Sequence, residues 1–326
     1  MPTRTCNPHI LRYIKAVEQE VVPVCKEQKQ LAVLVRKAFA EEDIWCDDAR
    51  LERYLTLQKF FPFQLLDWEI FCFALHNCVF RADGMPRWPD LFICVGRGAG
   101  KNGYLAFEDF ALISHYHGIQ RYDVDICANS EDQARTTFDD IYDILEDNKD
   151  RLERFFYWNK EKIINLKTKS VLRFRTSNAK TKDGGRPGKV DFDEVHEYED
   201  YSNLDVFTTG LGKKPHPRRT FTTTNGKVRD GVLDDYLAQA TEVLEGNMPD
   251  GGMLFFICKL DNKREVHDER LWIKANPSLP FRPDLLEEMR KEYADFQRGR
   301  KMTGAFMTKR MNSPESDVET AVTDFE

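Results

Sequence analysis

The chain has 326 residues, 41% of them hydrophobic and 12% aromatic, with a formal net charge of −7. This length can bury one large core or two unequal ones, and the negative charge argues against a protein coated with cations for continuous nucleic-acid contact. No apolar run approaches the roughly 20 residues of a membrane helix, and the start lacks the apolar centre of a signal peptide, so we expect an intracellular protein without a membrane partner. Eight irregularly spaced cysteines favour buried thiols over metal ligands.

The first part of the chain carries apolar residues at helical spacing, over residues 9–40 and 47–60. Ile10, Ile14 and Val17 are one example of such a stripe. This pattern predicts a helical N-terminal subdomain over residues 1–60.

Short apolar runs with β-branched residues then alternate with helix-length stretches. The runs cover residues 91–95, 124–128, 171–174, 190–192, 219–223 and 253–260. A capping box of Ser130 and Gln133 predicts a helix over 131–146, and another helix runs from about Val232 to Gly246. This alternation predicts an α/β fold with a mostly parallel central sheet flanked by helices, over residues 61–260. A helical pattern returns over 261–326 and predicts a linker or lid.

A glycine-rich turn, Gly96-Arg97-Gly98-Ala99-Gly100-Lys101-Asn102, follows the strand at 91–95 and opens a helical pattern. In that context backbone N–H groups face one point, the helix N-terminus adds positive potential and Lys101 supplies a mobile cation, which together suit an NTP triphosphate. Val95 stands where the usual pattern has its first glycine, and Asn102 where it has the Ser or Thr that binds magnesium. The turn predicts a phosphate site of the P-loop kind, with a plain glycine-rich turn as the alternative.

The segment 151–189 is strongly basic, with twelve Lys and Arg against three acidic residues. It predicts either a local basic face for nucleic-acid contact or a solvated surface without a partner.

The strand at 190–192 ends in two adjacent carboxylates, Asp193 and Glu194, about 90 residues after Lys101. In phosphoryl transfer to water, Asp193 would hold magnesium through its water shell and Glu194 would polarise the attacking water. Asp191 has no explanation at this stage, since a strand buried on both faces should be apolar there. His196 follows, and without a second histidine at i+4 it is interpreted as a polar residue at the strand exit.

A third element, Thr222, Thr223, Thr224 and Asn225, ends the β-prone run at 219–223. Small hydroxyl and amide side chains at a strand end can sense a γ-phosphate, because a short hydrogen bond is made or lost with it. Threonine is also simply a good strand former, so this element gains meaning only beside the other two.

With these elements in this order, the chain resembles the large terminase subunits of tailed double-stranded DNA phages, from near residue 9 to its last residues. FPFQLLDWEIF (61–71) is similar to the family's adenine-side motif, with Trp68 in place and Glu69 where glutamine is usual. Further similar segments are ICANSEDQARTTFDDI (126–141), GGRPGKVDFDEVHEYED (184–200) for Walker B, TTTN (222–225) for the coupling motif, and LWIKANPSL (271–279) with MTKRMNSP (307–314) for the linker.

The resemblance implies an ATPase that binds ATP and Mg²⁺. It places ATP on the glycine-rich turn with Trp68 and Glu69, magnesium on Asp193 and Asn102, and catalysis on Glu194, Lys101 and Arg97, the last as a cis arginine finger. Thr222–Asn225 would couple hydrolysis to movement, and Arg186 is the candidate for an arginine supplied to a neighbouring subunit.

The resemblance also implies partners and a place of action. The partners are double-stranded DNA, a portal protein, a terminase small subunit and further copies of the chain, which form a ring when docked on the procapsid. In solution the chain is either monomeric or assembled. The place of action is the cytoplasm of a host cell. The family carries a C-terminal nuclease, for which no room follows, so nuclease activity is not expected from these residues.

Three other interpretations stay open. A P-loop helicase or other translocase would separate strands instead of moving intact duplex. A degenerate module would hold nucleotide without hydrolysing it, which Asn102 motivates. A nucleotide kinase would not need the threonine-rich strand.

Overall fold

The computed structural model describes residues 6–176, 185–299 and 305–314. The helices are α1 Pro8–Glu18, α2 Lys26–Glu41, α3 Asp48–Leu55, α4 Asp67–Cys78, α5 Lys101–Ile113, α6 Glu131–Asp147, α7 Lys149–Leu152, α8 Ser202–Thr208, α9 Val232–Leu244 and α10 Pro283–Gln297. The strands are β1 Ile44–Cys46, β2 Val79–Arg81, β3 Asp90–Cys94, β4 Val124–Ala128, β5 Phe156–Trp158, β6 Ile163–Asn165, β7 Val171–Thr176, β8 Lys189–Phe192, β9 Arg218–Thr223 and β10 Met253–Ile257. None of the described helices is both long and apolar enough to cross a membrane.

The N-terminal helices form as the apolar spacing predicts. The Asn7 side chain accepts a hydrogen bond from the backbone N–H of His9 at the start of α1, and Ile10 and Ile14 are buried along its inner face. Helix α2 docks on the sheet, where the Gln28 side chain donates to the carbonyl of Ile257 at the end of β10 (2.7 Å). The helices and the sheet share one hydrophobic core, and a subdomain boundary at residue 60 stays a prediction.

The main sheet has eight strands among the described residues, in the order β10-β3-β9-β8-β4-β7-β6-β5. From β10 to β7 neighbouring strands are parallel, which confirms the α/β prediction, whereas β6 and β5 pair antiparallel at one edge. Sequence periodicity missed β5 and β6 because each has only three residues. The carboxyl ends of β3, β8 and β9 meet at one edge of the sheet, where open α/β folds bind their ligands.

A second, smaller hydrophobic core lies beyond β10. It is formed by Leu260, Val266, Trp272, Ala275, Leu279, Leu285, Met289, Phe306, Met307 and Met311. Most of these residues come from short 3₁₀ turns, from α10 and from a turn of π-helix at Phe306–Arg310. We call the part of the chain from residue 261 to residue 314 the lid; its boundary at 261 stays a prediction.

The main core contains a fully buried charge cluster. Lys189 Nζ lies 2.9 Å from Glu108, 2.6 Å from Asp109 and 2.5 Å from Asp191, and all four side chains are shielded from solvent. Burial and mutual repulsion raise the pKa of Asp191, and burial also raises that of Asp109, which favours one proton shared between them. The cluster explains the acid in strand β8 and ties α5, which follows the glycine-rich turn, to that strand.

Replacing Lys189 tests this cluster. Lys189→Met would leave buried carboxylates without their cation, so we expect a loss of about 3–5 kcal/mol in the free energy of unfolding, measured by urea denaturation at pH 7. Lys37→Met is the matched control, because the Lys37 side chain is 68% exposed and, among the described residues, forms an ion pair only with Glu41. It should change the free energy of unfolding by less than about 0.5 kcal/mol. Equal effects of the two substitutions would contradict the account.

Candidate active site

The glycine-rich turn is the centre of the site, and its backbone donors are unpaired. It joins the end of β3 to the start of α5, with Gly98 and Gly100 in the left-handed region. Within the described residues, five N–H groups in and just after the turn have no acceptor; they belong to Gly98, Gly100, Lys101, Asn102 and Gly103. Converging unpaired donors at a helix N-terminus form an anion site.

The lid forms hydrogen bonds with several other polar groups of the turn. The N–H of Gly96 donates to the carbonyl of Ala275 (2.8 Å), and that of Arg97 donates to the carbonyl of Lys309 (2.7 Å). On the acceptor side, the Ser278 hydroxyl donates to the carbonyl of Ala99 (2.5 Å). The Arg310 guanidinium likewise donates to the carbonyl of Arg97 (3.0 Å). The turn is therefore fixed from the lid while its anion-binding donors stay open.

Lys101 is a buried cation with no ion pair in the described part of the chain. Its charge acts on the two carboxylates that follow β8: it opposes the rise that burial causes in the pKa of Asp193, and it contributes to the lowered pKa of Glu194. The structure thus brings Lys101, Asp193 and Glu194 together, as the sequence predicts.

Asp193 is held firmly at the end of β8. Its Oδ1 accepts from the Thr222 hydroxyl (2.6 Å) and from the N–H of Glu194 (2.9 Å), which leaves Oδ2 outside both bonds. Burial and the charge of Glu194 raise the pKa of Asp193, against the lowering by Thr222 and Lys101. A divalent cation next to Oδ2 would offset this burial, so the side chain suits a magnesium site.

Glu194 has a left-handed backbone (φ 53°, ψ 51°), which non-glycine residues rarely adopt. Burial alone would raise its pKa, but the contact with His196 and the charges of Lys101 and Arg97 outweigh it, and the pKa lies below the ordinary value. The carboxyl group is therefore ionised at neutral pH and can act as a base. Strained backbone of this kind clusters at functional sites.

The threonine-rich segment contacts Asp193 and His196 directly. Thr222 bonds Asp193, and the hydroxyl of Thr223 lies 3.2 Å from the His196 ring and donates to the carbonyl of Thr224 (2.6 Å). The N–H of Asn225 donates to the side chain of Asn312 in the lid (2.8 Å). The coupling role assigned to Thr222–Asn225 stays a prediction, but the segment lies where such a role requires it.

Trp68 and Glu69 lie beneath the turn, at the start of α4. Trp68 is buried, stacks on Tyr104 and Phe256, and donates from its indole to Ser278 (3.2 Å). This placement favours support of the turn over direct contact with adenine. The Glu69 carboxyl accepts from the N–H of Leu66 (2.7 Å) and approaches Gly100.

The remaining predicted residues lie at the surface or the rim. Arg97 and Arg186 are exposed and Asn102 is partly buried. Residues 177–184, which precede Arg186 by one residue and belong to the basic segment 151–189, lie outside the described part of the chain. No group of three or more His, Cys, Asp or Glu that could hold a metal by itself occurs among the described residues. Magnesium would therefore need phosphate oxygens besides Asp193 and Asn102.

Sequence reasoning missed His196. It is buried, and its Nδ1 lies 3.1 Å from Glu194 Oε2. Nothing in a single sequence distinguishes this histidine from a polar residue at a strand exit, because its other partner, Thr223, lies 27 residues later.

The pH dependence of stability tests the burial of Glu69. Burial raises the pKa of Glu69 to about 8 from an ordinary value of 4.5. The folded chain therefore holds this proton more tightly than the unfolded chain, and the carboxyl group increasingly destabilises the fold as pH rises from about 4.5 to about 8. Glu69→Gln should exceed the parent in free energy of unfolding by a margin that grows by up to about 1.4 kcal/mol per pH unit.

Urea unfolding at pH 5, 6, 7 and 8 measures this margin. Glu153→Gln, at an exposed glutamate, is the control and should show no trend with pH. A margin for Glu69→Gln that does not change over this range would contradict the assignment.

Comparison with known proteins places the fold. The chain superposes on the crystal structure of the HK97 bacteriophage large terminase with a TM-score of 0.68 and 17% identity, over 83% of this chain and 56% of that chain. It is 26% identical over 133 residues to Protein YmfN of Escherichia coli (strain K12), covering 40% of this chain and 28% of that protein. The chain thus spans about half the length of the first relative and less of the second.

The family assignment rests on a sequence model of the terminase large subunit, ATPase domain, which matches residues 69–242. That range is more than half of the chain and contains the glycine-rich turn, both carboxylates and the threonine-rich segment. The superposition independently shows the same P-loop NTPase-like fold. This chain belongs to the family of the ATPase domain of the terminase large subunit.

Proposed function

We propose that this chain hydrolyses ATP and is the motor that drives double-stranded DNA into a phage procapsid. The observation that carries the proposal is the turn at 96–102, whose unpaired N–H groups adjoin Lys101 and the carboxylates of Asp193 and Glu194. Family membership, resting on residues 69–242, supports packaging as the purpose of the hydrolysis.

The geometry of each residue supports the role proposed for it. The unpaired N–H groups and Lys101 bind the triphosphate, because they are the donors left free in this part of the site. Glu194 is ionised and half-buried, so it accepts a proton from the attacking water. Arg97 lies at the surface of the turn, where its guanidinium can reach charge that develops on the transferring phosphate.

Asp193 and Asn102 are the residues that would hold magnesium. Asp193 offers Oδ2, and Asn102 offers an amide oxygen at the first turn of α5. When bound, the ion supplies positive charge that offsets the charge of the phosphate oxygens.

The proposed partners are a portal protein, a terminase small subunit and neighbouring copies of this chain in a ring. Arg186 is exposed and belongs to the loop before β8, so it is the candidate to reach the site of an adjacent copy. A rate per subunit that climbs with protein concentration would support this assembly.

Steady-state phosphate release from Mg-ATP tests the hydrolysis. Glu194→Gln should lower kcat by about 10²–10⁴-fold, because it removes the general base, while ATP affinity measured by calorimetry stays within about threefold. Lys101→Ala should instead weaken ATP binding.

Glu199→Gln is the matched control, an exposed glutamate five residues later, and should keep the parent rate. Unchanged turnover in Glu194→Gln would overturn its role. ATP binding without turnover at any protein concentration would favour the module that holds nucleotide, and separation of DNA strands would favour the helicase.

A basic aromatic cluster is the proposed DNA surface. It comprises Lys59, Phe60, Arg151, Arg154 and Phe155. The Arg151 guanidinium lies 4.8 Å from the centre of the Phe60 ring, and that of Arg154 lies 4.7 Å from the centre of the Phe155 ring. All three cations are exposed, and within the described residues none has an ion pair. Their charge is therefore available to phosphates.

Salt dependence of duplex binding tests this surface. The double variant Arg151→Gln, Arg154→Gln should bind duplexes of any sequence more weakly and should reduce the slope of log K against log salt by about 2. Arg36→Gln with Arg81→Gln removes the same charge from arginines already paired with Glu18 and Asp83. This control should keep the slope, and equal slopes for the two doubles would contradict the assignment.

A further inference from the structure

His196 lies between the catalytic carboxylate and the threonine-rich segment. It belongs to the 3₁₀ turn Val195–Glu197 and is 7% exposed. Its Nδ1 is 3.1 Å from Glu194 Oε2 and 3.2 Å from Thr223 Oγ1. One ring atom thus contacts both the proposed base and the segment next to it.

The hydrogen bonds around the ring determine which nitrogen carries a proton. The Thr223 hydroxyl donates its hydrogen to the carbonyl of Thr224 and accepts from the N–H of His196 (3.1 Å). An ionised Glu194 can only accept. Neither neighbour of Nδ1 offers it a hydrogen, so Nδ1 itself must be the donor.

The rest of the ring is enclosed. Nε2 lies 3.9 Å from Glu197 Oε1, and that carboxylate is held by the amide of Gln133 (3.0 and 3.1 Å). On the other side, a Cβ on Gly226 would lie 2.5 Å from the ring, so glycine at this position gives the imidazole its space. The imidazole ring therefore fills the space between Glu194 and Gly226.

The Glu194 carboxylate has little else to orient it. Its Oε2 is buried and forms no well-aligned hydrogen bond, because the approach of His196 is short but off-axis. The imidazole therefore orients the carboxylate without fixing it in one position. A small rotation of either group changes the contact, and a rotation of the ring also shifts it against Thr223 and Gly226.

We propose that His196 is a positioning residue that aims Glu194 at the attacking water and transmits the position of that carboxylate to the Thr222–Gly226 segment. The proposal rests on the proposed ATPase function. It assigns no proton transfer from the substrate to His196. The imidazole acts through its donor at Nδ1 and through its shape.

Two substitutions separate the donor from the shape. In His196→Asn the amide nitrogen occupies about the position of Nδ1 and keeps a donor, whereas His196→Leu fills similar space without one. We expect kcat to fall by about 10–100-fold in His196→Leu and by less than about fivefold in His196→Asn, with KM within about threefold in both. Equal kcat values for the two variants would overturn the proposal, because a residue that only fills space does not distinguish them.

A double-variant cycle with Thr223→Val tests the transmission. If the ring links the two groups, Thr223→Val should slow the parent but add little in the His196→Leu background. Fully additive effects would remove Thr223 from the proposal.

A spectroscopic measurement decides the geometry without turnover. The long-range ¹H–¹⁵N spectrum of the imidazoles, with His196 assigned by the loss of its signals in His196→Asn, should show a proton on Nδ1, and Glu194→Gln should shift that signal. A ring without a proton on Nδ1 would refute the positioning role even in an active enzyme. A protonated Nδ1 in a chain that never turns over ATP would instead overturn the proposed function and leave the contact intact.

Discussion

The turn at 96–102 must leave several backbone donors unpaired inside a packed protein, and the rest of the structure depends on how this is achieved. A half-buried N–H group without a protein partner forgoes a hydrogen bond worth about 0.5–1.5 kcal/mol, so the turn depends on support from elsewhere in the chain. The lid supplies the missing stability. Two of its carbonyls, at Ala275 and Lys309, accept from the turn, and three of its side chains donate to carbonyls of the turn. The second hydrophobic core is therefore part of the site, because it holds these groups where the turn needs them.

The same few lid residues also reach the threonine-rich segment. The Asn312 side chain accepts a hydrogen bond from the N–H of Asn225 and donates one to the carbonyl of Cys258 (2.8 Å). Asn312 lies only two residues after Arg310, which donates to the glycine-rich turn. One short stretch of the lid, Arg310 to Asn312, thus contacts both the turn and the threonine-rich segment. On the opposite side of the site, the buried Lys189 cluster joins α5 to β8. Each part of the site is therefore in direct packing contact with another part.

The sequence predicted the sheet well because its strands are buried on both faces and appear as apolar runs bounded by polar residues. The strand predicted at 124–128 is identical to β4, and the others differ mainly at their ends. The turn and the two carboxylates could be predicted because each directly follows a predicted strand in the sequence. Asp191 and His196 each have one partner two residues away, Lys189 and Glu194. Their other partners, Asp109 and Thr223, come from distant elements of the fold, so the sequence alone did not explain these two residues. Trp68 is a different case: the motif position predicts a contact with the nucleotide, which stays a prediction, and the side chain is buried between Tyr104 and Phe256.

The departures from the usual P-loop pattern have explanations in this chain's own packing. A Cβ at position 96 would lie 2.4 Å from the carbonyl oxygen of Arg310, so the glycine stands where the lid approaches most closely, and Val95 can be an ordinary buried residue. Glu69 replaces a glutamine, yet its burial keeps the carboxyl group protonated at neutral pH, so its charge matches that of an amide. Asn102 retains an oxygen that can bind a cation. The environment of each residue decides whether a site with these departures binds and hydrolyses nucleotide. A match to the sequence motif alone does not establish this.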